Sequence, residues 1–299
     1  MSILLSFLSA IAYAEGESLF VVGSTSAFPL VEASEKAFSR YLGEANPQSV
    51  SIVMRPLGSQ KGLNSVIDKV ADVGIISRFL SRAEMDEWPY LRQVTIAQDA
   101  LVLLVNKQNL VSTLTTEQIK NIYTGLVIHW NNVSQKNKKQ FVKPIKPLSK
   151  GVSHGTFYAF QSLFQLDYML DPRQQDLYLK RQGENHLYSR LPSQTYSRFN
   201  QAMAIVNREP ESIAYESLAV MQQFKDHLGF EKVKVISIDG ISASEKNVNN
   251  RSYPWVRPLN LIINTKADNS KAEQFVEFML TEQGKNIMRQ QGYIPIQLP

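Results

Sequence analysis

The sequence predicts an α/β fold, a mainly parallel sheet with helices on its faces. Three observations carry that expectation. Residues 18–80 alternate runs of strand period with runs of helical period, the order from which parallel sheets are built. Two apolar runs, 100–105 (ALVLLV) and 259–263 (LNLII), read as strands buried on both faces. The chain has 299 residues, 43% of them hydrophobic and 20% charged, enough for one large domain or two lobes with ample core.

Each element follows from its local pattern. An apolar strand spans 19–22, and a helix over 29–42 shows Leu30, Ala33, Ala37, Phe38, Tyr41 and Leu42 on one face, with Gly43 as a stop. A strand over 50–54 alternates Val50, Ile52 and Met54 to one side. A short helix follows over 63–70, through Leu63, Val66, Ile67 and Val70, and then a strand at 72–76. Ser81-Arg82-Ala83-Glu84 is a capping box for the next helix. Thr115 to Gln118 begins a helix that closes near Gly125, and 136–146 is a lysine-rich, exposed excursion. The stretch Tyr253-Pro254-Trp255-Val256-Arg257-Pro258 leads into the second apolar run, with Trp255 read as core. A last helix over about 270–291 buries Phe275, Phe278, Met279, Ile287 and Met288.

Chemistry concentrates where strands hand over to helices. Gly23-Ser24-Thr25-Ser26-Ala27-Phe28-Pro29 lies between the first strand and the first helix. Gly58-Ser59-Gln60-Lys61-Gly62 follows the second strand, and Ser153-His154-Gly155-Thr156 opens a helix with face Phe157, Phe160 and Phe164. Free N–H groups and the positive end of the helix dipole make such turns anion sites, and hydroxyls add donors. Helix capping alone accounts for any one of these loops; three exceed what capping needs. None has the spacing of a nucleotide P-loop.

Composition narrows the remaining classes. The net charge is +5 without a basic run interleaved with aromatics, which favours a solvated basic surface over nucleic-acid binding. Residues 3–14 are apolar or small and end in Ala12-Tyr13-Ala14 before Glu15, the pattern of a secretory leader cleaved near Ala14, although a basic n-region is missing. The alternative is a buried first strand or helix. There is no cysteine, hence no disulfide, thiol chemistry or lipidated N-terminal Cys, and an exported, unanchored chain points to the periplasm. His129, His154, His186 and His227 lack metal-ligand spacing, and no G-x-S-x-G, S-x-x-K or H-E-x-x-H occurs, so no metal, no cofactor and no enzyme are expected. His154 beside Thr156 reads as a pocket-wall donor rather than a base, with a plain surface histidine as the next contender.

Taken together, GSTSAFPL (23–30), PLGSQKGL (56–63), ADVGIISR (71–78), TTEQIKNIYTG (115–125), PESIAYESLA (210–219), the 238–259 stretch and EFMLTEQGKNIMRQQGYIPI (277–296) resemble the phosphate-binding proteins of phosphate ABC transporters. The resemblance implies a two-lobed periplasmic binding protein of type II: a leader at 1–14, lobe I over 15–99 and 257–299, and lobe II over 100–256. The crossing strands would fall near 97–101 and 256–259, with the ligand in the crevice at the strands' carboxyl ends. It implies capture of inorganic phosphate for ABC permease subunits by a monomer. Alternatives are another tetrahedral oxyanion such as sulfate, or a sensor or secreted protein without transport.

Carried over residue by residue, Phe28 matches a backbone N–H donor, Ser59 a hydroxyl donor, and Gly155 with Thr156 the family's Gly-Thr pair, with Phe160 in the following aromatic position. The expected phosphate-binding set is Ser24, Thr25, Ser26, Phe28, Ser59, Ser77, Arg78, Lys150, His154, Gly155 and Thr156. Departures from the family pattern concern charge: Lys150 stands at an arginine position, Val152 at an acidic one, and Arg78 follows Ser77 where another carboxylate is expected. Lys150 and Arg78 are therefore expected to set the charge preference, with Asp72 or Asp99 as acids that would instead draw Arg78 away.

Overall fold

The computed structural model describes residues 17–43, 50–133, 143–152, 154–171, 176–183, 188–189, 191–267 and 269–297. The leader expected at 1–14, most of the lysine-rich excursion, Ser153 and His186 lie outside these residues.

The alternation read in the N-terminal part becomes β1 (Glu17–Gly23), α1 (Phe28–Tyr41), β2 (Val50–Arg55), α2 (Ser59–Ile67), β3 (Val73–Ile76) and α3 (Arg82–Glu87). β1 pairs in parallel with β2 on one side and β3 on the other. The capping box at α3 forms as expected, with Ser81 accepting from the Glu84 N–H and Glu84 accepting from the Ser81 N–H. α2 begins at Ser59, four residues before the apolar pattern that announced it. Its first turn is polar because it faces a cleft rather than the core.

The next strand, β4 (Leu91–Asn106), is 16 residues long and serves two sheets. Its first part pairs antiparallel with β12 (Val256–Asn264), from Leu91 opposite Asn264 to Ala100 opposite Val256. From Leu101 onward it pairs with β10 (Ser212–Ser217) and β11 (Val233–Ile238) instead. The partners of β4 thus change between Ala100 and Leu101.

Between these lie β5 (Thr113–Leu114), α4 (Thr116–Tyr123), β6 (Lys146–Lys150), α5 (Gly155–Phe164), the hairpin β7 (Leu166–Leu170) and β8 (Leu177–Arg181), β9 (Gln194–Tyr196) and α6 (Phe199–Arg208). α7 (Leu218–Gln223) follows β10, and α8 (Glu245–Asn249) follows β11. The chain then returns through β12 to α9 (Ser270–Leu280), α10 (Glu282–Gln290) and β13 (Ile294–Pro295). The strand order is β2-β1-β3-β12-β4-β10-β6-β9, a mixed α/β sheet handed from one lobe to the other through β4.

Two cores flank the crossing. One gathers Leu19, Phe38, Ile75, Leu261, Phe275 and Phe278 around the first sheet, and the other gathers Leu103, Tyr123, Trp130, Phe160, Phe164 and Tyr215. Trp255 belongs to the second core, edge-on to Tyr253, as expected of a packing residue.

The single helix expected over 270–291 is two helices. Thr281 is extended (φ −68°, ψ 163°), accepts from the Gly284 N–H at 3.1 Å and donates to the Phe278 carbonyl at 2.7 Å. A Cβ on Gly284 would stand 2.5 Å from that carbonyl, so the turn needs glycine there. Apolar residues of both segments fall on one core, which is why the break is invisible to periodicity.

Candidate functional site

Close backbone approach builds the site. A Cβ on Gly62 would stand 2.8 Å from Gly23 Cα and from the Val22 carbonyl, and one on Gly74 would stand 2.8 Å from the Gly62 carbonyl. Without those side chains α2 seats directly on β1 and β3, and three separate turns deliver their hydroxyls to one spot. Ser77 Oγ donates to Ser24 Oγ at 2.8 Å, Ser24 and Ser26 share a hydrogen bond at 3.1 Å, and Ser59 Oγ accepts from the Ser77 N–H at 3.1 Å. Ser24, Ser26 and Ser77 are buried.

The charge in this ring is Arg257, on β12. It stands in register with Asp99 on β4, and its Nε and Nη2 both donate to Asp99 Oδ2, at 2.9 and 2.7 Å. Nη2 also donates to Ser26 Oγ at 2.9 Å. Asp99 Oδ1 accepts from Ser217 Oγ at 2.9 Å and from the Ala219 N–H at 3.4 Å, which ties the pair to the second lobe. Arg257 is only 5% exposed, yet its Nη1 is buried without a hydrogen-bond partner. A buried guanidinium nitrogen with unused donors costs free energy unless something polar occupies the space before it.

Gly155, at the start of α5, closes that space from the other lobe. A Cβ there would lie 3.5 Å from Arg257 Nη1, 3.6 Å from Ser59 Oγ and 3.7 Å from Ser24 Oγ. Leaving it out keeps a small volume between the four-serine ring, the free face of an arginine and the first turn of a helix. This is an oxyanion cradle: the donors converge and the helix end adds positive potential.

The other expected residues fall around it unevenly. Thr156 is buried in the first turn of α5, beside Gly155. Phe28 opens α1, so its N–H is among those that helical geometry leaves unpaired, while its ring is exposed. Thr25 sits half-buried in a single 3-10 turn over Thr25–Ala27. His154 precedes α5 without capping it through its side chain; burial first, and then the nearby Lys150, hold its imidazole below the usual value. Phe160 is fully buried and stacks on Tyr215 at 3.9 Å, a core role.

Two expectations about charge are corrected. Lys150 does not present its ammonium to the cradle. Nζ lies 2.6 Å from Glu216 Oε2 and 3.4 Å from the Ser197 carbonyl, above the Tyr196 ring at 4.7 Å, buried inside the second lobe. Arg78 forks onto Glu84, at 2.7 Å to each carboxylate oxygen, and also donates to Gln60 Oε1 and the Phe79 carbonyl. That guanidinium, acting first through its hydrogen bonds, lowers the Glu84 carboxyl to about 2. Neither Asp72 nor Asp99 receives Arg78. Asp99 is taken by Arg257, and Asp72 accepts from the Phe20 N–H and Asn269.

The sequence did carry a signal for the missed pair. Asp99 and Arg257 are charges directly beside the apolar runs 100–105 and 259–263, and charges in buried strands are rarely found unless they are paired.

The PBP superfamily domain profile matches residues 10–283. The chain belongs to this superfamily. As a member, it is similar over most of its length to the phosphate-binding protein PstS of Borreliella burgdorferi, with 22% identity over 280 residues, 92% of this chain and 88% of that one. A Clostridium perfringens protein described as a phosphate ABC transporter substrate-binding protein, crystallised with bound phosphate, superposes with TM-score 0.72 at 27% identity, over 94% of this chain and all of that one. An ABC-type phosphate transport receptor from Vibrio cholerae shares the fold, with TM-score 0.70 at 21% identity and the same coverage of this chain.

In this superfamily member the cradle opens into a cleft of about 700 Å³, bounded by α2, the end of β3, one face of α5 and the start of β12. No helix among the described residues is long and apolar enough to cross a membrane.

Proposed function

We propose that this chain is an extracytoplasmic solute-binding protein that captures inorganic phosphate between its two lobes and hands it to an ABC permease. The unpartnered, buried Nη1 of Arg257, facing Gly155 across the serine ring, carries the reading. Relatives named for phosphate binding agree with it. A binder suits the site better than an enzyme: among the described residues no histidine or carboxylate is hydrogen-bonded to Ser24, Ser26, Ser59 or Ser77, so none of these four has a base beside it. The leader read at 1–14 and an unassociated monomer complete the proposal.

Titration calorimetry of the mature chain with inorganic phosphate tests it, using Gly155→Ala as the blocking variant. The added methyl occupies the mouth of the cradle at ordinary contact distance from its neighbours, so the fold should persist. Loss of one charge-assisted contact at about 1.5–3 kcal/mol predicts affinity lower by roughly 10- to 150-fold. Wild-type protein that fails to bind, or a variant that binds equally well, would remove the site.

A further inference from the structure

Resting on the oxyanion reading, we infer that the site also takes organic oxyanions of the type R–PO₃²⁻, a phosphonate or phosphomonoester whose substituent lies in the cleft beside the cradle. Two independent observations lead there.

The first is size and lining. At ~30 Å³ per water, an inorganic oxyanion the size of two or three waters would fill only roughly a tenth of the cleft's 700 Å³. Clefts of ~300–1,000 Å³ are those that hold organic ligands. The space is continuous with the cradle, because Ser59, Ser77, Gly155 and Arg257 line both. Away from them it is walled by Leu57 and Phe79 beside Gln60, Lys61 and Arg78 on one lobe, and by Tyr158 and Leu163 beside Gln161 and Ser162 on the other. Leu57, Phe79 and Tyr158 are 51%, 60% and 51% exposed, apolar surface that an apolar substituent would cover.

The second is the absence of a free carboxylate. No carboxylate lines the cleft among the described residues. The acids nearby are already engaged: Asp99 by Arg257, Ser217 and Ala219, Glu84 by Arg78 and the Ser81 N–H, and Glu216 by Lys150 and the Ser217 N–H. Within the ring Ser59 accepts from the Ser77 N–H, Ser26 from Arg257 and Ser24 from Ser77; the Ser77 O–H and one O–H of the Ser24–Ser26 pair are spent inside the ring, which leaves the Ser59 O–H and the other O–H of that pair to donate. At neutral pH inorganic phosphate carries a P–O–H that seeks an acceptor. R–PO₃²⁻ above its second ionisation, near 6 for a phosphomonoester and higher for a phosphonate, carries none and offers three bare oxygens to the donors.

Calorimetry at pH 8 with inorganic phosphate and with phenylphosphonate tests this, on wild type and on the double variant Phe79→Ala/Tyr158→Ala, whose altered side chains are exposed and remote from the ring. The expected result is phenylphosphonate affinity at least equal to that of phosphate. It should fall about tenfold in the double variant while phosphate affinity stays within about twofold. Phosphate binding with phenylphosphonate at least about 100-fold weaker would overturn the inference and leave the oxyanion site standing. Equal binding that the double variant leaves untouched would overturn the compartment. Failure of both ligands to bind would overturn the oxyanion reading and this inference with it.

Discussion

Two buried ion pairs flank the crossing strand, and they are built to opposite ends. Arg257 with Asp99 and Lys150 with Glu216 are almost equally sequestered, with side chains 5% and 2% exposed in the first and 7% and 1% in the second. Lys150 has three donor positions, and a carboxylate, a carbonyl and an aromatic face surround its ammonium. Arg257 has a planar fork; two of its nitrogens are spent on Asp99 and Ser26, and the third is left facing the cleft. Equal burial therefore does not mean equal role. A cation becomes a ligand group when its geometry outlasts its counterion, and arginine does this where lysine cannot.

The sharpest way to break the contrast is to remove each cation in turn. Arg257→Leu should lower phosphate affinity by more than about 100-fold, since at least two charge-assisted donors are lost at ~1.5–3 kcal/mol each. It should also cost about 3–5 kcal/mol of stability, because Asp99 is left buried without its partner. Arg257→Lys keeps the charge without the fork and separates the two effects. Calorimetry and chemical denaturation on both variants give the numbers, and an Arg257→Leu protein that still binds normally would end the assignment.

Lys150→Met should show the reverse pattern. Stability should fall by about 3–5 kcal/mol as Glu216 loses its partner, and the double variant Lys150→Met/Glu216→Leu should recover most of it. Phosphate affinity of the folded protein should stay within a few-fold in both. Loss of binding with unchanged stability would invert the comparison.

Arg78 supplies the smallest effect. Its fork to Glu84 is partly exposed, 37% on the arginine side, so Arg78→Ala should cost less than about 1 kcal/mol at pH 7 and little affinity. Glu84 is held at about 2 against its ordinary 4.5, a depressed carboxylate. The stability the pair contributes is present above 4.5 and is lost as pH falls through about 2. Acid unfolding followed between pH 5 and 2 should therefore be shallower in Arg78→Ala than in wild type, and parallel curves would count against the pair.

How much of this was legible in the sequence divides along physical lines. Local rules located α1, β2, β3, the capping box of α3 and the start of α4 within a residue or two, because a helix start or a strand's alternation is decided by neighbours in the chain. The same rules ran α9 and α10 together, since both present apolar residues to one core and the break is made by Thr281 and Gly284 closing on Phe278. The hairpin of β7 and β8 went unread: in β7 Leu166 is the buried residue and the apolar residues after it are exposed, although Leu177 and Leu179 of β8 reach the core.

Three hydroxyl-rich turns and the crossing strands could be named from the sequence, because Ser, Thr and Gly at helix starts are a local signature of exposed N–H groups. Only the folded chain decided which charges serve them. Asp99 and Arg257 are 158 residues apart and meet because β4 and β12 run antiparallel in one register. Glu216 claims Lys150 because β10 and β6 lie side by side. A charge's role depends on whether a counterion reaches it first, and that depends on strand register, a contact between distant segments that no local pattern encodes.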